Sequence, residues 1–491
     1  MDGPSLFGDR YILRQGTMTQ MIAVAYKLDP ANVHGGPSWL DWNHYDIIAK
    51  APPSTSRETL QLMLQSLLAE RFSLVVHKGT APMPSYVLTV QSGKTRLKES
   101  DGKGESGCMG QPPPADQSAD AVPQIRVTCH NETMEKFAGD VYGMAGGAYL
   151  AYPVVDSTGL KGAFDFDLMW TPRPALIRAG ADGITIIDAV DKQLGLKLTP
   201  GTAPRPVLTV DSVNESPTPN APDLARRLPP LPPAQFEVAV IKPFKPDEPD
   251  QDSSCGDKVN MQGETLKDLI TQAWNLNQFA PEELVGAPKW LDQDRFDILA
   301  KLASDDAGGA APNACELPDE QMRQLMRALI EDRFQMKDHW EDRPGTAYHL
   351  VADNPKLTPA DPSLRTRCYA GPGPDGKDPR LTNHVLNRLF TCQNITMAQF
   401  GEHLQAMVQG YIHSTVIDDT GLKGSYSFTL SFSGGGQLPG GVNAGMAGAD
   451  PNGAISLFDA VKNTLGVKLE KQTRPVHVLV IDHIEEQPTA N

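Results

Sequence analysis

The sequence is short of the features that would place it quickly. No apolar run in its 491 residues approaches the roughly 20 needed to cross a bilayer as a helix. The opening Met1-Asp2-Gly3-Pro4 has no basic-then-apolar pattern, so these residues carry no expected signal peptide. Positive charge is scarce: 44 Lys and Arg against 60 Asp and Glu leave −16, which argues against nucleic acid as a partner, since phosphate grooves need clustered cations. No CxxC, HExxH or GxSxG occurs, which removes common patterns of zinc sites, zinc peptidases and serine hydrolases. The remaining composition, 40% hydrophobic and 21% charged, is that of an ordinary folded protein of about three compact units.

What is present is a long internal repeat. Met18, Met21, Ile22, Ala25 and Tyr26 form a helical stripe that returns as Leu266, Leu269, Ile270, Ala273 and Trp274, displaced by 248. GGPSWLDWNHYDIIAK, ending at Lys50, returns as GAPKWLDQDRFDILAK, ending at Lys301. A second stripe, Leu60, Met63, Leu64, Leu67, Leu68 and Phe72, returns as Met322, Leu325, Met326, Leu329, Ile330 and Phe334. VTCHNETMEKF matches FTCQNITMAQF, and VVDSTGLKGAFDFDL matches VIDDTGLKGSYSFTL. The copies span 1–213 and 236–491, joined by a Pro-rich stretch, 214–235, expected to be a semi-rigid exposed spacer.

Each copy reads as internally doubled, with modules near 1–100 and 121–213, then 236–360 and 385–491. Apolar spacing at i, i+3, i+4 and i+7 gives the helices and alternation gives the strands, predicting the order β-α-β-α-β-β in an α+β fold. Thr265 and Thr396 stand where helix N-caps are wanted. The strand-like FEVAVIKPF, Phe236–Phe244, has no counterpart in copy one, where only Met1–Phe7 precedes the shared pattern. Copy one is therefore expected to have the more exposed sheet edge, or to borrow a strand by self-association.

Six cysteines allow 15 pairings. Cys108 and Cys129 occupy the places of Cys368 and Cys392, which favours those two pairs and leaves Cys255 with Cys315. Disulfides imply an oxidising compartment, either periplasm or secretion.

GGPSWLDWNHYDIIAKA, LMLQSLLAERFSLVVHK, NITMAQF, DDTGLKGSYSFTL, LFDAVKNTLGVKLEKQ and HVLVIDHIEEQP resemble a soil-associated domain-of-unknown-function family expanded in Acidobacteria, especially Solibacter-type genomes. The resemblance covers nearly all of both copies. It implies export, and fusion to membrane-bound sensor metallopeptidases in some relatives, but no catalytic residues. More distantly, the order of elements is similar to small periplasmic domains of secretins and TonB-dependent transducers, which bind proteins.

The candidates for chemistry each have a structural explanation beside them. Asp418 and Asp156 precede Asp419-Thr420-Gly421 and Ser157-Thr158-Gly159, so only one triplet has the aspartic-protease form, and a turn accounts for both. His34-Gly35-Gly36 has the form of an oxyanion loop, but its counterpart is Val285-Gly286-Ala287. His77 and His339 recur at equivalent places, either as general bases or as strand-end histidines. Asp250 and Asp252 have calcium-loop spacing, without the Gly and bidentate Glu that such a loop requires, so no cofactor or metal is expected. Trp39 with Asp41, and Trp290 with Asp292, sit in a loop suited to recognition, unless each Trp plugs a core. The reading is an exported binding protein that meets a protein or cell-wall component through loops or sheet edges. The alternative is an extracellular hydrolase of an ester, lactone or glycoside, with its site in a cleft between modules.

Overall fold

A single local device recurs four times in the computed structural model. It describes all residues except 8, 53–54, 92–94, 113–121, 147, 229–234, 246–255, 279, 304–316, 318, 409–410, 413, 436–437, 439–452 and 490–491. Asp250, Asp252, Cys255 and Cys315 fall among these exceptions, so the calcium spacing and the third cysteine pair lie outside the described residues.

Copy one begins with β1 (Asp2–Phe7), β2 (Arg10–Thr17), α1 (Met18–Tyr26), β3 (His44–Lys50), α2 (Arg57–Phe72) and β4 (Val75–Val90). It continues with β5 (Gly107–Gln111), β6 (Ile125–Glu132), α3 (Met134–Ala145), β7 (Phe164–Trp170), the one-turn α4 (Ile186–Ala189) and β8 (Leu196–Ser212). Copy two has β9 (Phe236–Pro243), β10 (Lys258–Thr265), α5 (Leu266–Ala273), β11 (Arg295–Leu302), α6 (Asp319–Arg333) and β12 (Lys337–Ala352). Then follow β13 (Arg367–Ala370), β14 (Arg388–Ile395), α7 (Met397–Met407), β15 (Tyr426–Phe432), the one-turn α8 (Leu457–Ala460) and β16 (Val467–His483).

The device is a bulge three residues before the helices α1, α3, α5 and α7. Gln15, Asn131, Gly263 and Asn394 have φ of 50°, 47°, 66° and 51°. Each turns its N–H out of the ladder onto a side chain of the neighbouring strand: Asp46 at 2.8 Å, Asp165 at 2.8 Å, Asp297 at 3.0 Å and Ser427 at 3.2 Å. The kink aims the chain into a helix whose first turn is capped by Thr17, Thr133, Thr265 or Thr396. The inner doubling, visible in sequence only as a pattern, is carried by this bulge-and-cap unit.

The expected two closing strands of each module are one. β4 and β8 pair antiparallel from Val90↔Leu196 to Val75↔Ser212, and β12 and β16 do so from Ala352↔Val467 to Lys337↔His483. Within these ribbons Pro82 lies opposite Pro204 and Pro344 opposite Pro475. There the ribbon is two-stranded, so a residue without an N–H costs no ladder bond. Each ribbon serves both halves of its copy. Leu208 and Val210 pack with Leu13, Ile22, Leu68 and Phe72, while Tyr86, Leu88, Leu196 and Leu198 pack with Phe137 and Trp170. Copy two repeats this, with Leu479 and Ile481 in one core and Tyr348, Leu350, Val467 and Leu469 in the other.

Cys108–Cys129 and Cys368–Cys392 are disulfides joining directly opposed residues of β5–β6 and β13–β14. The first part of the expected spacer is pinned rather than free. Arg71 donates to the Thr218 hydroxyl (2.9 Å) and carbonyl (2.6 Å), as Arg333 does to Thr489 (3.2 and 2.8 Å).

The two copies are docked. Asp41 meets Arg365 at 2.8 Å, and the Thr366 N–H donates to the Ser38 carbonyl at 2.9 Å. Trp42 packs against the copy-two core of Leu404 and Val408, with its ring centroid 5.6 Å from that of His403. Arg173 donates to the carbonyls of Arg380 (2.7 Å) and Leu386 (3.2 Å).

Candidate functional site: an unpaired strand edge in the first copy

The first-half sheets of the two copies are built on nearly the same central sequence, HYDIIAK in β3 and RFDILAKL in β11, but they end differently. In copy two the order is β9-β11-β10, so β11 is paired on both sides. In copy one the order is β1-β2-β3. Met1–Phe7 does form a strand, but it runs along the far side of β2, with Phe7 opposite Arg10. Among the described residues nothing pairs with the outer edge of β3. A row of backbone N–H and C=O groups along such an edge is a template for another strand.

The side chains record the same difference. Phe236 of β9 packs over Leu325 of α6, with Val259 and Leu302, and Leu325 is only 4% exposed. The equivalent Met63 of α2 is 39% exposed, although its spacing placed it on the buried stripe. Ala51, standing where copy two has Leu302, is too short to cover it. Tyr45 and Ala49 of β3 are half-buried where Phe296 and Ala300 of β11 are buried. The charged flanks also match: Lys301 meets Glu237 of β9 at 2.8 Å, whereas Lys50 meets Asp9 at 2.7 Å.

The other candidates are spread over the molecule. His77 bonds Asp211 through Nδ1 at 2.9 Å, and His339 bonds Asp482 at 2.8 Å; both pairs are exposed, and the bond to Asp482 raises His339 above the usual histidine range. Asp156 and Asp418 sit at the opposite ends of the ribbons, beside Leu88 and Leu350. Eleven strand residues separate each histidine's row from its aspartate's, roughly 36 Å at ~3.3 Å per residue, so no His–Asp catalytic pair is assembled from them. Oδ1 of each aspartate accepts the N–H and hydroxyl of Thr158 or Thr420, at 2.7 to 2.9 Å, which makes it a turn residue. In the WLD turns the plug is the leucine: Leu40 and Leu291 are fully buried, while Trp39 and Trp290 are half-buried at the rims of their cores. Asp41 is committed to Arg365 in the other copy, and Asp292 to Lys267 at 2.9 Å. Gly35 is explained by packing, since a Cβ there would stand 2.9 Å from the Val210 carbonyl, as one on Gly286 would stand 2.7 Å from that of Ile481.

Two arrangements lie outside the residues singled out from the sequence. His349 is wholly buried, its Nδ1 on Asp419 and its Nε2 3.4 Å from Arg474 Nε. With Arg474 as donor, Nδ1 carries the proton, and neither ring nitrogen is left for a substrate. Copy one has Val87 and Ser157 in the matching places, so repeat comparison could have marked His349 as specific to copy two. A cleft of about 700 Å³ lies between α5, the start of α6 and α7, lined by Met322, Asn275, Gln272, Glu283 and Glu402 among others. Burial pushes the Glu283 carboxyl up, against the N–H of Asn277, which donates to it at 2.9 Å. Cys108, Glu132 and Asp140 also lie close together, but the sulfur is in a disulfide and the Lys136 ammonium bridges the two carboxylates at 2.9 and 3.2 Å.

These features define a tandemly duplicated α+β protein with a cross-strand disulfide in each copy. No helix among the described residues is long and apolar enough to cross a membrane. The chain belongs to a protein family of unknown function, DUF3738, whose model matches it twice, over residues 19–213 and 267–484. Neither the curated proteins nor the solved structures contain a match to it.

Proposed function

We propose that the chain is an exported protein-binding module that captures an extended segment of a partner on the outer edge of β3. One observation carries the reading: of two almost identical strands, β3 and β11, β11 has a partner on each side, and β3 has one on one side alone among the described residues. Main-chain hydrogen bonds supply affinity in strand addition, and alternate side chains supply selectivity. The two disulfides support an oxidising compartment, the periplasm or the exterior. Without its partner, the free edge also disposes the chain to self-associate.

The test is to occupy the edge covalently. Phe236–Phe244 is appended before Met1 through a linker of about eight Gly and Ser residues, enough to cross three strands spaced ~4.8 Å apart. Light scattering should show less self-association, and deuterium exchange should slow in 44–50 to the level of 295–302. An unmodified chain that stays monomeric, with β3 amides already as protected as those of β11, refutes the reading.

A second reading, hydrolysis of an extracellular ester, lactone or glycoside, is favoured by the cleft alone, where Glu283 is biased toward its protonated form. Turnover in a hydrolase screen that is lost in Glu283→Gln would support it; an inactive purified chain removes it.

A further inference from the structure

The cleft between α5, α6 and α7 has a floor, walls and charge that suit one kind of occupant. On the floor Met261, Met322 and Leu276 are half-buried and Met326 is buried. Methionine is unbranched and polarisable, so such a floor adapts to aliphatic chains of several shapes. The walls carry the exposed carboxamides of Gln272, Asn275 and Gln278, and a carboxamide both donates and accepts, as a peptide backbone does. Three carboxylates complete the lining: Glu283 from the turn Pro281–Glu283, Asp319 from α6 and Glu402 from α7. Against them stands Arg323, whose Nε is already 3.1 Å from Glu320 Oε2. The last turn of α5 adds the negative end of its dipole.

The fold does not require this lining. Copy one builds the same helices with Ala23 and Val24 where copy two has Thr271 and Gln272, and with Lys27 for Asn275. It has Arg57 for Asp319, Asn32 for Glu283 and Gly139 for Glu402. At these places two cations and no carboxylate replace three carboxylates, while the inward stripes of the helices are kept. Asn275 and Lys27 share even their left-handed backbone, with φ of 56° and 53°. Side chains that differ this far between two copies of one fold answer to what meets them, not to the core beneath. We infer that the cleft of copy two holds a basic segment of a partner polypeptide, with lysine or arginine heads against Glu283, Asp319 and Glu402, aliphatic stems on the methionines and backbone amides on the carboxamides. At about 700 Å³ the cleft takes several side chains, whereas one free amine would leave most of it empty. Charge of one sign within apolar walls steers such a segment in and rejects acidic ones. A cation beside Glu283 also offsets the burial that holds its proton on. Binding there involves neither the β3 edge nor the breaking of a bond.

The probe is a fluorescein-labelled peptide, Gly-Leu-Lys-Val-Lys-Met-Lys-Leu-Gly, titrated onto the full chain beside versions with Gln or Glu in place of every Lys. Saturable binding of the lysine peptide is expected, about tenfold weaker for the Gln version and lost for the Glu version. Binding should weaken as salt rises from about 50 to about 500 mM. Spermidine and chitotetraose should displace the peptide weakly or not at all. Asn275→Lys with Asp319→Arg installs residues that copy one already folds with, so the variant should melt like the parent and bind the lysine peptide at least about tenfold less tightly. Deuterium exchange on binding should slow in 271–278 and 319–326. Equal binding of the Lys and Gln peptides overturns the inference, as does binding undiminished in the double variant or no binding of any peptide. Protection in 44–50 instead would assign the peptide to the β3 edge and also overturns it. Spermidine binding as tightly as the peptide would make the ligand a free amine, and chitotetraose binding in its place a glycan, with the same result. A chain that binds the lysine peptide but turns over nothing in the hydrolase screen keeps this site and loses the hydrolytic reading.

Discussion

Removing the Asp41 carboxylate should weaken the docking of the two copies. Arg365 and Asp41 keep only 11% and 12% of their side-chain surface exposed. Burial pulls the Arg365 guanidinium below its usual range; Asp41 opposes this, and the nearby Arg367 adds to it. Asp41→Ala thus leaves a cation buried beside a second cation. Breaking a buried pair from one side costs about 3–5 kcal/mol. Here the low end applies, about 3 kcal/mol, because both side chains keep some contact with water. The Thr366–Ser38 bond also survives the change. Arg365→Met should cost a similar amount, and Asp41→Leu with Arg365→Met much less than the sum, since an apolar pair needs no compensation. Urea unfolding followed by tryptophan emission reads the change, because Trp42 lies in the same contact against His403. Single variants that each lose less than about 0.5 kcal/mol, with Trp42 emission unaltered, would show that the copies are not joined in this way.

Replacing Cys108 and Cys129 together by serine, or Cys368 and Cys392, should cost about 3 kcal/mol per bridge, because sequence separations of 21 and 24 residues set the loop entropy regained on unfolding. A melting temperature unchanged by dithiothreitol would refute this, and non-reducing peptide mapping should find both pairs. Acid should loosen the contact between copies. Burial lowers His403 below the usual histidine range, with His44 adding to it, and burial followed by Arg365 and Arg367 lowers His34. A histidine whose folded value is depressed takes up its proton more readily when released. Stability is then full above roughly pH 6.5 and declines as pH falls from there through the folded value. Melting curves between about pH 7.5 and 5 should show this decline, and His403→Gln should flatten it; a decline unaltered in that variant would place the effect elsewhere.

Much of the local architecture was legible because it depends on neighbours in sequence. Thr265 and Thr396 cap their helices, since a short side-chain oxygen before an apolar stripe satisfies the first free N–H groups wherever the helix later packs. Cys108–Cys129 and Cys368–Cys392 follow from equivalence between copies. Met63 was misplaced because burial at its place, as at Leu325 under Phe236 in copy two, depends on what a neighbouring strand lays over it, and periodicity does not report what stands opposite. The two closing strands expected of each module are one for a related reason: Pro82 and Pro204, or Pro344 and Pro475, lie where the ribbon has no third strand among the described residues.

The sequence by itself determined the duplication and two cysteine pairs, through the match between copies about 250 residues apart, and the helices with their caps, through windows of a few tens of residues. Only the tertiary structure decided which strand lies beside which. The decisive contacts join residues far apart in the chain: β4 with β8, Asp41 with Arg365, and β9 with β11 while Met1–Phe7 goes to β2. A strand's pattern specifies which of its faces is buried, but its two edges are chemically alike, made of the same backbone N–H and C=O groups. Which edge is filled is set by the shapes and charges of distant side chains: the sequence pointed to copy one for the more exposed edge, but only the fold placed Met1–Phe7 beside β2 and left the outer side of β3 without a partner among the described residues.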